Sequence, residues 1–119
     1  MRHMSFMLTV KQVRNRTKTV TRRIGWWNVK RGEVILACEK CQGLKKGEKV
    51  QAIDVIRVRD TTLSILDEIT AEDIEREGFP GMSKDEFIAM FCKTHKRATP
   101  RTIVNRIEFE YVYGKEEGC

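Results

Sequence analysis

Arg16-Thr17-Lys18-Thr19-Val20-Thr21-Arg22-Arg23 alternates cations with β-branched residues. Threonine and valine favour a pleated, half-buried backbone, so this run is expected to be extended from Lys18 to Arg23. In a regular strand, side chains three positions apart point to opposite faces. Lys18 and Thr21 therefore converge only if the chain bends or bulges between them. Around the run the charge has one sign. Residues 1–32 hold nine cations, Arg2, Lys11, Arg14, Arg16, Lys18, Arg22, Arg23, Lys30 and Arg31, and no acid before Glu33. The other 87 residues carry 14 cations and 17 acids, so the net charge of +6 conceals a block of +9 and a faintly acidic remainder. An acid-free block of this length attracts polyanions, of which phosphate backbones are the commonest, and salt-sensitive binding is expected of it. The plainer alternative is a solvated basic face. The counterweight is residues 67–77, where Asp67, Glu68, Glu72, Asp73, Glu75 and Glu77 face a lone Arg76. Opposite charges from these two segments would shift each other's pKa values if the fold brought them together.

The 119 residues suit one domain able to bury a core without staples, expected to span residues 1–113 with a flexible tail over 114–119. Hydrophobic residues at 40%, charged residues at 34% and only two prolines exclude disordered, collagen-like and repeat architectures. The longest apolar runs, Val34–Cys38 and Phe87–Cys92, fall far short of the ~20 residues that cross a bilayer. Lys11 interrupts the N-terminal segment before an export-type apolar core develops. These features predict a soluble cytoplasmic protein with no membrane partner.

Phe6–Val10 is expected to be a short strand, followed by a polar helix or turn over Lys11–Asn15. Val34–Cys38 has the character of a buried strand, and Val50–Arg59 that of one sampling both faces of a sheet. Gly43 and Gly47 mark the loop Glu39–Lys49. Thr70 is an N-cap with Asp73 at the third helical position, Ile69 can staple onto Ile74, and Gly78 ends that helix. Ser83 and Glu86 form a capping box for a second helix, whose Phe87, Met90 and Phe91 make one apolar stripe assigned to the core. Ile103–Tyr113 closes the chain as a strand, with Ile107, Phe109, Tyr111 and Tyr113 opposite Glu108 and Glu110. Strands, helices and a closing strand predict an α+β domain, a small mixed β-barrel with two or three helices at one side.

The run Arg16–Arg23, then Leu44-Lys-Lys-Gly47, Glu75-Arg-Glu-Gly-Phe79 and Arg106-Ile-Glu-Phe-Glu110, resembles the ASCH domain family of the PUA-like superfamily, in particular its phage and prophage versions. The likeness extends over Leu8 to Tyr113. Its most specific motif is G-x-K-x-x-T-x-R, matched by Lys18, Thr21 and Arg23, while Arg16 stands where glycine is usual. Glycine takes a positive φ freely and arginine does so at a cost. The resemblance implies a PUA-like barrel with a charged cleft for RNA or a nucleotide or nucleoside ligand. One bacterial branch is an amidohydrolase that removes the acetyl group of N4-acetylcytidine through a lysine, a threonine and a glutamate. The first two match Lys18 and Thr21, and the third corresponds to Glu77. Ribonuclease activity and a phage interaction module are further options that the resemblance leaves open.

The chemistry is coherent. Amide hydrolysis needs a nucleophile, a base and stabilisation of the oxyanion. Threonine gains nucleophilicity from a neighbouring amine, and the cations around Lys18 lower its pKa. Glu77 can protonate the leaving amine or hold Lys18 in place. For RNA, the basic wall would be Arg14, Arg16, Lys18, Arg22 and Arg23, with Trp26 and Trp27 available to stack on unpaired bases. Cys38-x2-Cys41 and Cys92-x2-His95 have zinc-ligand spacing, but Cys92 closes an apolar helix and behaves as a small hydrophobe. No metal or cofactor is therefore expected, His95 being left as a cleft contact or helix-terminal cation and Cys119 as a free thiol in the tail. The oligomeric state is not legible in the sequence.

Overall fold

The apolar run Val34–Cys38 becomes an inner strand of a single sheet, and the run Phe87–Cys92 falls within a helix. The protein is described by a computed structural model covering residues 1–41 and 44–114. In chain order the elements are β1 (Arg2–Ser5), α1 (Val10–Arg14), β2 (Val20–Arg23), β3 (Val34–Cys38), β4 (Ala52–Ile65), a 3-10 turn (Leu66–Glu68), α2 (Ala71–Arg76), α3 (Lys84–Thr94) and β5 (Ile103–Tyr111). The strands form one five-stranded mixed sheet in the order β1-β3-β4-β5-β2. Only β1 and β3 run parallel; β3 with β4, β4 with β5, and β5 with β2 are antiparallel. The sheet curls into a half-barrel, with the three helices completing an α+β fold.

β4 holds the architecture together. Its 14 residues make it the longest strand of the sheet. One end therefore serves the cluster of Met4, Phe6, Val13, Ile35, Ile56, Val58, Ile107 and Phe109, and the other leads through Leu66 to a second cluster with Ile69, Ile74, Phe87, Phe91 and Val104. Sequence alternation predicted that this strand would end at Arg59. It continues to Ile65 because the register shifts between Val58 and Asp60, after which Thr61–Ile65 pair with Ile107–Ile103 of β5. The bulge resets the in-out pattern, so the second half shows the sequence a polar face.

The first strand also differs from expectation. Pairing with β3 takes place at Arg2–Ser5, not over Phe6–Val10, and the chain enters α1 at Val10, one residue before the predicted start. Four residues on a sheet edge, half of them exposed, carry almost no apolar periodicity to detect. The two later helices begin where their caps predict: Thr70 Oγ1 accepts from the Asp73 N–H at 3.1 Å, and Ser83 and Glu86 complete a reciprocal capping box. Tyr113 lies beyond the end of β5 and is 64% exposed, so it does not share the buried face of Ile107 and Phe109. Gly43, Cys119 and nearly all of the predicted tail lie outside the described residues.

Candidate active site

The segment before β2 turns sharply, and the turn brings the predicted residues together. Arg16 adopts φ 62°, the left-handed conformation that glycine would take at no cost. Its guanidinium compensates by bonding Asp54 at 3.0 Å and the Tyr113 carbonyl at 2.8 Å, and it lies over the Tyr111 ring. Lys18 thus precedes the regular ladder, which begins at Val20. The strict alternation that would send Lys18 and Thr21 to opposite faces does not apply to them. Both are buried, and both line one cavity of about 360 Å³.

Glu77 arrives from the C-terminal end of α2, where backbone carbonyls lack intrahelical partners. Three successive carbonyls are satisfied from the chain around the turn. Thr19 N–H donates to Arg76 O at 2.9 Å, Lys18 Nζ to Glu77 O at 2.7 Å, and Gln12 Nε2 to Gly78 O at 3.1 Å. The same ammonium donates to Glu77 Oε1 at 2.9 Å, and Arg22 donates to Glu77 Oε2 at 3.2 Å. A carboxylate at the negative end of a helix is thus balanced by two buried cations. Arg22 also bonds Asp73, which receives Arg106 at 2.6 and 3.0 Å. The acid-free block and the most acidic stretch do meet, as buried ion pairs.

Protonation follows from this packing. Burial pulls the Lys18 ammonium below the usual lysine range, against the opposing pull of Glu77. Burial also lowers the Arg23 guanidinium to about 10. Hydrogen bonding from Arg106, reinforced by Arg22, holds the Asp73 carboxyl at about 2. Arg23 lies 4.7 Å over the Phe6 ring, and its Nε donates to Thr21 Oγ1 at 3.1 Å. A donor on that oxygen stabilises negative charge developing there and leaves the hydroxyl proton for a base.

The remaining predicted binding residues scatter. Arg14 is exposed and pairs with Glu39, and neither it nor Arg16 lines the cavity. Trp26 packs against the sheet core beneath Arg2, and its carbonyl accepts from the buried Asn105. Trp27 is 53% exposed. Of the nine cations in the basic block, Arg2, Arg14, Arg16, Lys18 and Arg22 have carboxylate partners, so the block does not form one bare wall. Among the described residues no three His, Cys, Asp or Glu side chains gather to hold a metal ion. Burial and the neighbouring Cys41 raise the Cys38 thiol to about 12.

Sequence reasoning missed the other wall of the cavity. Phe87, Met90 and Phe91 are buried or half-buried as a core stripe should be, yet they also line the cavity together with Phe79. A helical stripe signals burial and not what it is buried against, so assigning it to the core alone was incomplete. His95 stacks on Phe91 with centroids 4.1 Å apart, and its Nδ1 is 3.0 Å from the Phe91 carbonyl. Thr9, on the other side, carried no sequence signal. The site is therefore aromatic at one end and densely hydrogen-bonded at the other.

No family model and no curated protein matches the sequence. Solved structures do match the fold. An ASCH domain from Lactobacillus crispatus superposes with a TM-score of 0.65 over 95% of this chain and 80% of its own, at 11% identity. A DUF984 protein of Enterococcus faecalis gives a TM-score of 0.62 over 88% of this chain and 67% of its own, at 14% identity. Shared backbone course at such low identity is a statement about architecture, and on it this chain has the PUA-like α+β half-barrel fold of ASCH domains.

Proposed function

We propose that the cavity binds a nucleoside-like ligand and hydrolyses an acyl amide on it, N4-acetylcytidine being the type of substrate. The observation that carries this reading is the convergence of Lys18, Thr21 and Glu77, from separate segments, on one partly apolar cavity of about 360 Å³. That volume lies in the range of small-molecule sites. Phe79, Phe87 and Phe91 offer faces for a flat base, and the charged end receives the acyl group. Thr21 Oγ1 attacks the acyl carbon as its proton passes to the Lys18 amine, whose neutral form is favoured by burial. The carbon–nitrogen bond then breaks, the leaving amine takes the proton from Lys18, and water hydrolyses the threonyl ester to release the acid. Glu77 holds the Lys18 nitrogen in place throughout. Arg23 stabilises charge on the threonine oxygen.

Release of acetate from N4-acetylcytidine tests the reading. Thr21→Val should lower turnover by at least ~100-fold, the scale of a lost catalytic group, and leave the fold intact. Lys18→Ala should do the same with some loss of stability, and full activity in either variant removes the assignment. One observation favours a second reading, binding without turnover. Lys18 donates to two oxygens of Glu77, a geometry that suits a permanent ion pair. Saturable binding of the nucleoside with no acetate release would select it.

A further inference from the structure

Thr9 sits at the N-cap of α1, where a threonine oxygen ordinarily accepts from a first-turn N–H. Here it makes no such bond. The residue is only 5% exposed and it lines the cavity. Its backbone is fully used, the N–H donating to Phe6 O and the carbonyl accepting from Val13 N–H. Among the described residues nothing hydrogen-bonds its hydroxyl, and the oxygen is still not sealed from the cavity. This hydroxyl does not serve the helix; it opens to the cavity, where a ligand can take it.

We infer that Thr9 is a ligand-binding residue of this cavity, its hydroxyl donating to an acceptor on the edge of a flat heterocyclic ring, such as the ring carbonyl of a pyrimidine. The inference rests on the nucleoside reading of the site. A ring seated among Phe79, Phe87 and Phe91 has its faces covered by groups that offer no hydrogen bonds to its edge. A ring carbonyl needs a donor. At the charged end Lys18 donates to Glu77, Arg23 to Thr21, and the two terminal nitrogens of Arg22 to Glu77 and Asp73, only the buried Arg22 Nε being without a partner among the described residues. Thr9 is the hydroxyl donor left free on the segment before α1, and specificity comes from the cost of leaving it unpaired.

Thr9→Val keeps the shape and removes the hydroxyl, while Thr9→Ser keeps the hydroxyl. Calorimetric titration of the whole chain with N4-acetylcytidine and with cytidine reads the effect. Thr9→Val should weaken both ligands about 10-fold, and Thr9→Ser should stay within about threefold of the parent. In the absence of ligand, Thr9→Val should leave Tm at or above that of the parent, because no hydrogen bond within the protein is lost. A hydroxyl that merely held α1 in place would lower it. Unchanged affinity in Thr9→Val, or affinity lost only with a fall in Tm, overturns the proposal. Binding weakened by Thr9→Val in a protein that releases no acetate removes the reaction and leaves this role standing. No binding of either nucleoside to the parent protein overturns both.

Discussion

Arg16 shows how one residue can hold a site in place against its own conformational preference. A left-handed φ of 62° costs a side chain bearing Cβ roughly 1–2 kcal/mol, offset here by Asp54, the Tyr113 carbonyl and the Tyr111 ring. Arg16→Ala keeps the strain and loses the contacts, whereas Arg16→Gly loses both. The glycine variant should therefore be the more stable of the two by about 1 kcal/mol, read from urea midpoints at matched slopes. Asp73 makes a different prediction. Its carboxyl is held at about 2 in the fold, against about 3.9 when unfolded. A lowered carboxyl adds stability that is complete above the unfolded value and is lost as pH falls toward the folded one. Stability should accordingly decline between about pH 4 and pH 2, and Asp73→Asn should flatten that limb while lowering stability at neutral pH. A limb of unchanged slope in the variant would show that Arg22 and Arg106 do not hold this group.

At the scale of elements, the join between α2 and the turn before β2 decides where the site forms. Gly78 ends α2 with φ 105°, and a Cβ there would sit 2.8 Å from Gln12 Cγ. Gly78→Ala should cost at least about 1–3 kcal/mol and reduce acetate release further than the lost stability explains, because Glu77 is the preceding residue. Full activity at wild-type stability would contradict the role assigned to this join. Ser83→Ala should cost about 1 kcal/mol by removing one half of the capping box of α3. These helix starts were legible because caps are local chemistry: an oxygen three residues from an N–H. The placement of β1 and the second half of β4 was not. An edge strand of four residues and a strand crossing a bulge owe their pairing to neighbours remote in sequence.

Over the whole molecule, charge was legible as composition and not as surface. Nine cations without an acid suggested one basic wall, yet five of them are paired with carboxylates drawn from the residues flanking β3, from β4, and from α2 and its C-terminal end. Three of those partners, Glu33, Glu39 and Asp54, lie outside the acidic stretch 67–77 that looked like the natural counterweight. The pairing with Asp73 and Glu77 was anticipated as a conditional, opposite charges meeting if the fold allowed it. The lowering of Lys18 was anticipated from the like charges around it; its larger cause, the burial of the meeting point, was not.

The sequence by itself determined the α+β class, the inner strand Val34–Cys38, the starts of both later helices and the identity of Lys18, Thr21 and Glu77 as residues to watch. The class, strand and helix starts rest on short-range rules of periodicity and capping, Lys18 and Thr21 on a motif contained in eight consecutive residues, and Glu77 on the family resemblance. Only the tertiary structure decided that these three side chains share a cavity, that Phe79, Phe87 and Phe91 form its other wall, and that the Thr9 hydroxyl faces it without a protein partner. A cavity is defined by surfaces that fail to fill the space between them. That property belongs to the packing of α2 and α3 against the turn before β2, and no local pattern encodes it.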